Sequence, residues 1–283
     1  RPYVKGIKDC EGWVNQNWLS HVLFYKLYTG FGESSLVYYK FIQAILTALF
    51  AFWAARALKV NYFIAAGCAA FGVLLARSYI DMRPNISTIL MAIMMIYVLF
   101  RWRSGHVRAI LWLLPIMIIW SNVHGGFIYA IVVMGLACGG YALTNILAVS
   151  FPNLFEFHPW KEKYLWLVIG FAITIFTPMI FSPFGSENLF HPLLVMFGEE
   201  GAKWRDVQEW QPIYKPGFGS IGSFLVFLSL FTVLIISWLL VRIMYGKKIK
   251  TEVTSEPVSV SILPRIDLTW LGIILLTIYM AIS

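Results

Sequence analysis

In a chain of 283 residues only 13% of the side chains are charged, 59% are hydrophobic, and the mean hydropathy is +0.73. Soluble domains carry about 25% charged and 45–50% apolar residues, so an ordinary soluble enzyme is excluded, as is a disordered tail. The net charge of +8 comes without a Lys/Arg-rich stripe or zinc-finger spacing, which assigns it to the cytoplasmic anchors of a multi-pass membrane protein and not to nucleic acid.

The opening stretch, RPYVKGIKDCEGWVNQNW, is polar, holds no signal peptide and reads as the middle of a longer protein. Residues 17–31, NWLSHVLFYKLYTGF, are too short and too polar to span a bilayer. Leu19, Leu23, Phe24 and Leu27 share one helical face, while Ser20, His21 and Lys26 lie elsewhere. That pattern fits an amphipathic helix in the membrane interface or one packed on the bundle outside the bilayer. Asn17 is placed to cap it.

Apolar runs then follow near 36–57, 60–76, 85–100, 109–123, 127–149, 163–181, 221–242 and 268–283. A span needs around 20 residues at 1.5 Å each, so these runs predict an all-α, polytopic bundle of about eight spans plus the amphipathic helix. Four regions result: an arm and interfacial helix at 1–35, a bundle at 36–181, a long loop at 182–220, and C-terminal spans at 221–283. Cys68 and Cys138 sit inside apolar runs as small buried hydrophobes, and the methionines between 82 and 117 read as apolar filler.

With the N-terminus outside and the spans alternating, the inner loops collect twelve basic and five acidic residues. The outer segments keep ten basic and nine acidic ones, which leaves +7 inside and +1 outside. The basic loops at 101–108 and 246–250 argue hardest for this orientation. The polar complexity therefore falls on the outer side: the arm, the turn RSYIDMRPN, the turn NVHGG and the loop at 182–220.

Three groups there carry potential chemistry. WSNVHGGF (120–127) puts Asn122 and His124 at the outer end of a span beside two glycines. Polar groups near hydrocarbon are costly unless paired, so they mark either a functional site or a helix end bonded to its neighbour. In ARSYIDMRPN (76–85), Arg77, Asp81 and Arg83 crowd one turn, with Pro84 suited to the first turn of the next helix. The arginines could grip a phosphate bidentately, or pair with Asp81 as a structural lock. The acidic group comprises Asp9, Glu11, Glu187, Glu199, Glu200, Asp206 and Glu209. A carboxylate among them could act as a base or hold a divalent metal, and Glu209 could equally brace the loop. No H-x-x-x-H, CxxC or P-loop spacing occurs.

WVNQNWLSHVLFYKLY, the Arg83-Pro84 pair, WSNVHGGF, FSPFG and EWQP stand in the order and spacing of a large group of uncharacterised bacterial multi-spanning proteins. Through that group the chain resembles the GT-C superfamily of glycosyltransferases, over nearly its whole length. The resemblance implies a bacterial inner-membrane location and a polyprenyl-phosphate sugar donor used on the non-cytoplasmic face. It also implies an acidic residue in the first outer loop. Asp9 and Glu11 lie where that loop would be, whereas the family's first span is lacking. On this reading Asp9, Glu11 and His124 are the catalytic candidates, and His21, Arg77, Asp81, Arg83, Asn122 and Glu209 the substrate-binding ones. A divalent metal would accompany the carboxylates. The alternative is a non-catalytic membrane subunit that holds lipid or pigment and partner helices.

Overall fold

The computed structural model describes residues 14–78, 80–152, 154, 155 and 161–197, with positions 225, 229, 232, 233, 236, 240, 267–270 and 273 beyond them. Asp9, Glu11, Glu209, most of the 182–220 loop and most of the last two expected spans lie outside the described residues.

Eight α-helices are described up to residue 197: α1 (Trp18–Phe31), α2 (Ser34–Ala57), α3 (Tyr62–Leu75), α4 (Asn85–Arg103), α5 (Leu113–Val123), α6 (Ile128–Ser150), α7 (Lys161–Phe181) and α8 (Ser186–Phe197). Short 3-10 segments precede α5 and α6. The all-α, multi-span bundle expected from the apolar runs is what is seen. Ser34–Ala57, Asn85–Arg103, Gly125–Ser150 and Glu162–Phe181 are each long and apolar enough to cross a membrane. The runs at 60–76 and 109–123 form shorter apolar helices.

Local chemistry sets the ends. Gly32 closes α1 with φ of 75°, a region that favours glycine, and its N–H donates to the Tyr28 carbonyl. Asn61 caps α3 by accepting from the Phe63 N–H at 2.9 Å. Pro84 sits just before α4, where its missing N–H costs nothing. The loop expected from 182 instead holds α8, entered through a turn in which Gly185 has φ of 56°. No apolar run of span length marks that helix, which is why composition alone reads it as loop.

The chain divides into two compact units, one of residues 1–131 and 172–203, the other of 132–171 and 204–283. In the first unit Met95, Leu99, Trp102, Ile110, Leu113, Met117, Trp120 and Phe127 are buried. α2 has the inverse of a water-soluble pattern. Its buried residues are Ser35, Gln43 and Ala54, while Tyr38, Phe41, Ile42, Ile45, Leu49 and Trp53 point outward. Gln43 Nε2 donates to the Tyr39 hydroxyl at 2.7 Å, and that hydroxyl lies 3.1 Å from Ser87 Oγ of α4. A face of this size would be a liability in water but suits acyl chains, with polar side chains satisfying one another inside.

α1 packs on the bundle through Ser20, its one buried residue, and through a Phe24–Tyr39 edge contact at 5.5 Å. Leu19, Leu23, Phe24 and Leu27 are half-buried. Asn17 occupies the cap position, but its side chain makes no capping bond. Cys68, expected to be buried, is exposed, because α3 turns only Ala65 and Ala69 inward.

In the second unit Val133, Met134, Ala137, Tyr141 and Leu167 are buried, and the rings of Tyr141 and Tyr164 stack at 5.7 Å. Gly140 of α6 lies against the backbone of Leu268 and Thr269. Thr144 Oγ1 accepts from the Leu268 N–H at 2.9 Å and donates to the Gly140 carbonyl at 2.6 Å.

Candidate functional site

One end of the first unit carries a polar hub assembled from four separate stretches. α5 ends at Val123, and His124 leaves the helix in an extended conformation before the 3-10 turn at Gly125–Phe127. The apolar periodicity of α5 leads directly into Trp120, Ser121 and Asn122, all buried. Burial obliges each polar group there to find a partner.

Asn122 is bonded from both ends of its amide. Its Oδ1 accepts from Trp18 Nε1 of α1 at 2.9 Å. Its Nδ2 donates to the Ile118 carbonyl at 2.8 Å and to the Phe181 carbonyl, at the end of α7, at 3.3 Å. Ser20 Oγ donates to the Val123 carbonyl at 2.8 Å. Asn188 of α8, fully buried, donates through Nδ2 to the Ser121 carbonyl at 2.9 Å. Gln16 Nε2 closes the ring by donating to the Asn188 carbonyl at 2.9 Å. The free carbonyls at the ends of α5 and α7 thus receive side-chain donors in place of water.

His124 faces α4. Its Nδ1 accepts from the Gly126 N–H at 3.0 Å and lies 2.8 Å from Thr88 Oγ1, which in turn accepts from Trp120 Nε1 at 3.0 Å. The two glycines are needed for this approach. A Cβ on Gly126 would stand 2.7 Å from Thr88 Oγ1 and 2.9 Å from His124 Nδ1, and Gly125 lies directly against the Gln16 side chain.

Burial pushes the His124 imidazole, in the turn between two apolar helices, down from 6.5 to about 4. The folded chain then resists protonation that the unfolded chain accepts between those values. Stability is full above pH 6.5, declines as pH falls through the window and levels off below about 4, with a ceiling of about 3 kcal/mol that partial exposure reduces. Thermal unfolding of His124→Asn should lose this part of the pH dependence. Equal pH slopes in variant and parent would refute it.

The arginine turn enters α4 four residues after Asp81. Arg83 Nε pairs with Asp81 Oδ2 at 3.4 Å, both side chains half-exposed. Asp81 Oδ1 also accepts from the Met82 N–H at 2.7 Å, and the Asp81 carbonyl accepts from the Arg83 N–H at 2.8 Å. The lock foreseen between these residues is therefore present. Arg77 is exposed in a 3-10 turn just upstream.

Among the nine residues singled out from sequence, Asn122 and His124 belong to the hub. Arg77, Asp81 and Arg83 lead into the helix that supplies Thr88. His21 is exposed, with Nδ1 at 3.4 Å from Asn15 Nδ2, and stands apart from the hub's hydrogen bonds. Asp9, Glu11 and Glu209 lie outside the described residues. Gln16, Ser20, Thr88 and Asn188 were missed. Their signal was a single hydrogen-bonding side chain within an apolar or loop-like stretch, which composition does not distinguish from a solvated residue.

Among the described residues no three His, Cys, Asp or Glu side chains converge as a metal site. The hub's donors are amides, hydroxyls, an indole and an imidazole, a set suited to binding by hydrogen bonds and not to a hard divalent cation. Comparison of the chain with known protein families, curated proteins and solved structures finds no match.

Proposed function

We propose that this multi-pass helical protein is a GT-C-like membrane glycosyltransferase, moving a sugar from a polyprenyl-phosphate donor to an acceptor on the non-cytoplasmic face. The observation that supports the reading is the link between two polar turns far apart in sequence. Thr88, one turn into α4 from the Arg83-Pro84 pair, is hydrogen-bonded to His124. A phosphate held by Arg77 and Arg83 at the membrane surface would lie at the same bundle end as a neutral imidazole N–H. Positive charge and directed donors are what stabilise a departing phosphate. Asp9 or Glu11 is the proposed base that takes the acceptor hydroxyl proton, and a divalent metal beside the carboxylates belongs to the same proposal. His21, Asp81 and Glu209 complete the proposed donor and acceptor surface, which Asn122, buried with its amide bonded to Trp18, Ile118 and Phe181, braces from within.

The test is transfer in vesicles of the full chain supplied with a labelled polyprenyl-phosphate sugar. Arg83→Ala and His124→Ala should each lower transfer about a hundredfold while the protein still purifies as a folded species. Undiminished transfer by either variant would remove that residue from the site.

A second reading, a non-catalytic membrane subunit, draws on the outward aromatic face of α2, where Tyr38, Phe41 and Trp53 project. It gains if the native protein purifies with a stoichiometric membrane partner and moves no sugar.

A further inference from the structure

The hydrogen bonds around Thr88 determine where the His124 proton sits. An indole N–H can only donate, so Trp120 Nε1 gives its hydrogen to Thr88 Oγ1 across 3.0 Å. A backbone N–H can only donate as well, so His124 Nδ1 is the acceptor in its 3.0 Å bond with Gly126 and carries no proton. The 2.8 Å contact between Thr88 Oγ1 and His124 Nδ1 must then run from hydroxyl to ring nitrogen. Trp120, Thr88 and His124 form a one-way relay. One form of the imidazole is compatible with it, the neutral ring with hydrogen on Nε2. An imidazolium or the other neutral tautomer would set a ring N–H against the Gly126 N–H.

We infer that Thr88 is a positioning residue that locks His124 as its Nε2–H tautomer, so that the imidazole donates a hydrogen bond to a phosphate oxygen and does not serve as a base. The inference rests on the donor-phosphate reading for its ligand, but the lock itself does not. It separates two roles that sequence alone left together, because a histidine beside two glycines could have taken or given a proton. Here Nδ1 is already engaged by two donors, and the proton taken from an acceptor hydroxyl must go elsewhere. It also explains why a hydroxyl stands at 88. The hydroxyl both accepts and donates, which a purely apolar side chain cannot do.

The experiment is nitrogen NMR on the full chain with ¹⁵N-labelled histidine in phosphatidylcholine bilayers at about pH 7, with His124 assigned by its absence in His124→Gln. Wild type should show an unprotonated Nδ1 and a protonated Nε2. Thr88→Val should mix the two tautomers and lower kcat for sugar transfer about tenfold, the equivalent of one hydrogen bond, with KM little changed. Thr88→Ser should restore both readouts. A protonated Nδ1 in wild type, or a Thr88→Val spectrum identical to wild type, overturns the lock. A wild-type chain that moves no sugar yet shows the tautomer and its dependence on Thr88 removes the proposed function and leaves the lock standing.

Discussion

Gly126→Ala should destabilise the protein by about 2–4 kcal/mol and abolish any activity that depends on His124. The added methyl would stand 2.7 Å from Thr88 Oγ1, 2.9 Å from Thr88 Cγ2 and 2.9 Å from His124 Nδ1. These atoms cannot swing aside as the end of a long chain can. Thr88 is branched at Cβ and tied to Trp120 at 3.0 Å, while His124 is held by Gly126 itself. Moving Thr88 would leave the buried indole N–H of Trp120 without an acceptor, and a buried unsatisfied donor is expensive. Gly125→Ala makes the contrast, because its new methyl meets only the Gln16 side chain, which can turn away for the loss of one hydrogen bond to the Asn188 carbonyl. Thermal unfolding in detergent should therefore show a large loss for Gly126→Ala and a smaller one for Gly125→Ala. Equal losses would mean that the relay does not constrain the turn.

An effect of similar size is expected in the second unit. Gly140→Ala places a methyl 2.6 Å from Thr269 Cα and 2.8 Å from the Leu268 carbonyl, which are backbone atoms with no rotamer to change. The two segments would have to part, breaking the Leu268 N–H to Thr144 bond as well. Overpacking together with that loss costs about 3 kcal/mol or more. The neighbouring Gly139 has nothing within 4 Å of such a methyl. Gly139→Ala should thus be neutral or stabilise the helix by up to about 1 kcal/mol. Expression and unfolding temperature of the pair, measured side by side, check the contrast, and similar behaviour of the two variants would deny the close approach.

Much of this architecture could be read from the chain because hydrocarbon imposes a coarse rule: apolar runs become helices, and polar clusters fall at their ends. The run at 36–57 became α2 at Ser34–Ala57, and that at 127–149 became α6 at Ile128–Ser150. α8 escaped the rule because its twelve residues, SENLFHPLLVMF, mix polar and apolar side chains and carry a proline. The hub was half legible. Asn122 and His124 stand out as polar groups at a span end, and the glycines beside them announce a tight turn. Their partners do not. Thr88 and Ser20 are short hydroxyl residues that helices often hold by bonding to their own backbone. Asn188 and Gln16 sit in stretches that read as loop. Which of these meets His124 or Asn122 is decided by helix packing, which periodicity leaves undetermined. The turn at 81–83 shows a further limit, since spacing alone did not reveal the Arg83–Asp81 ion pair at 3.4 Å.

The proposed function requires that the arginine turn and His124 act on one phosphate. Its most direct test is a double-mutant cycle on sugar transfer, with Arg83→Ala, His124→Ala and the combined variant assayed in proteoliposomes against a labelled polyprenyl-phosphate sugar. The account predicts that each single change lowers transfer by about a hundredfold and that the combined variant loses far less than the product of the two losses, because both groups serve the same developing charge. Losses that multiply independently, or transfer that survives either change, would contradict it.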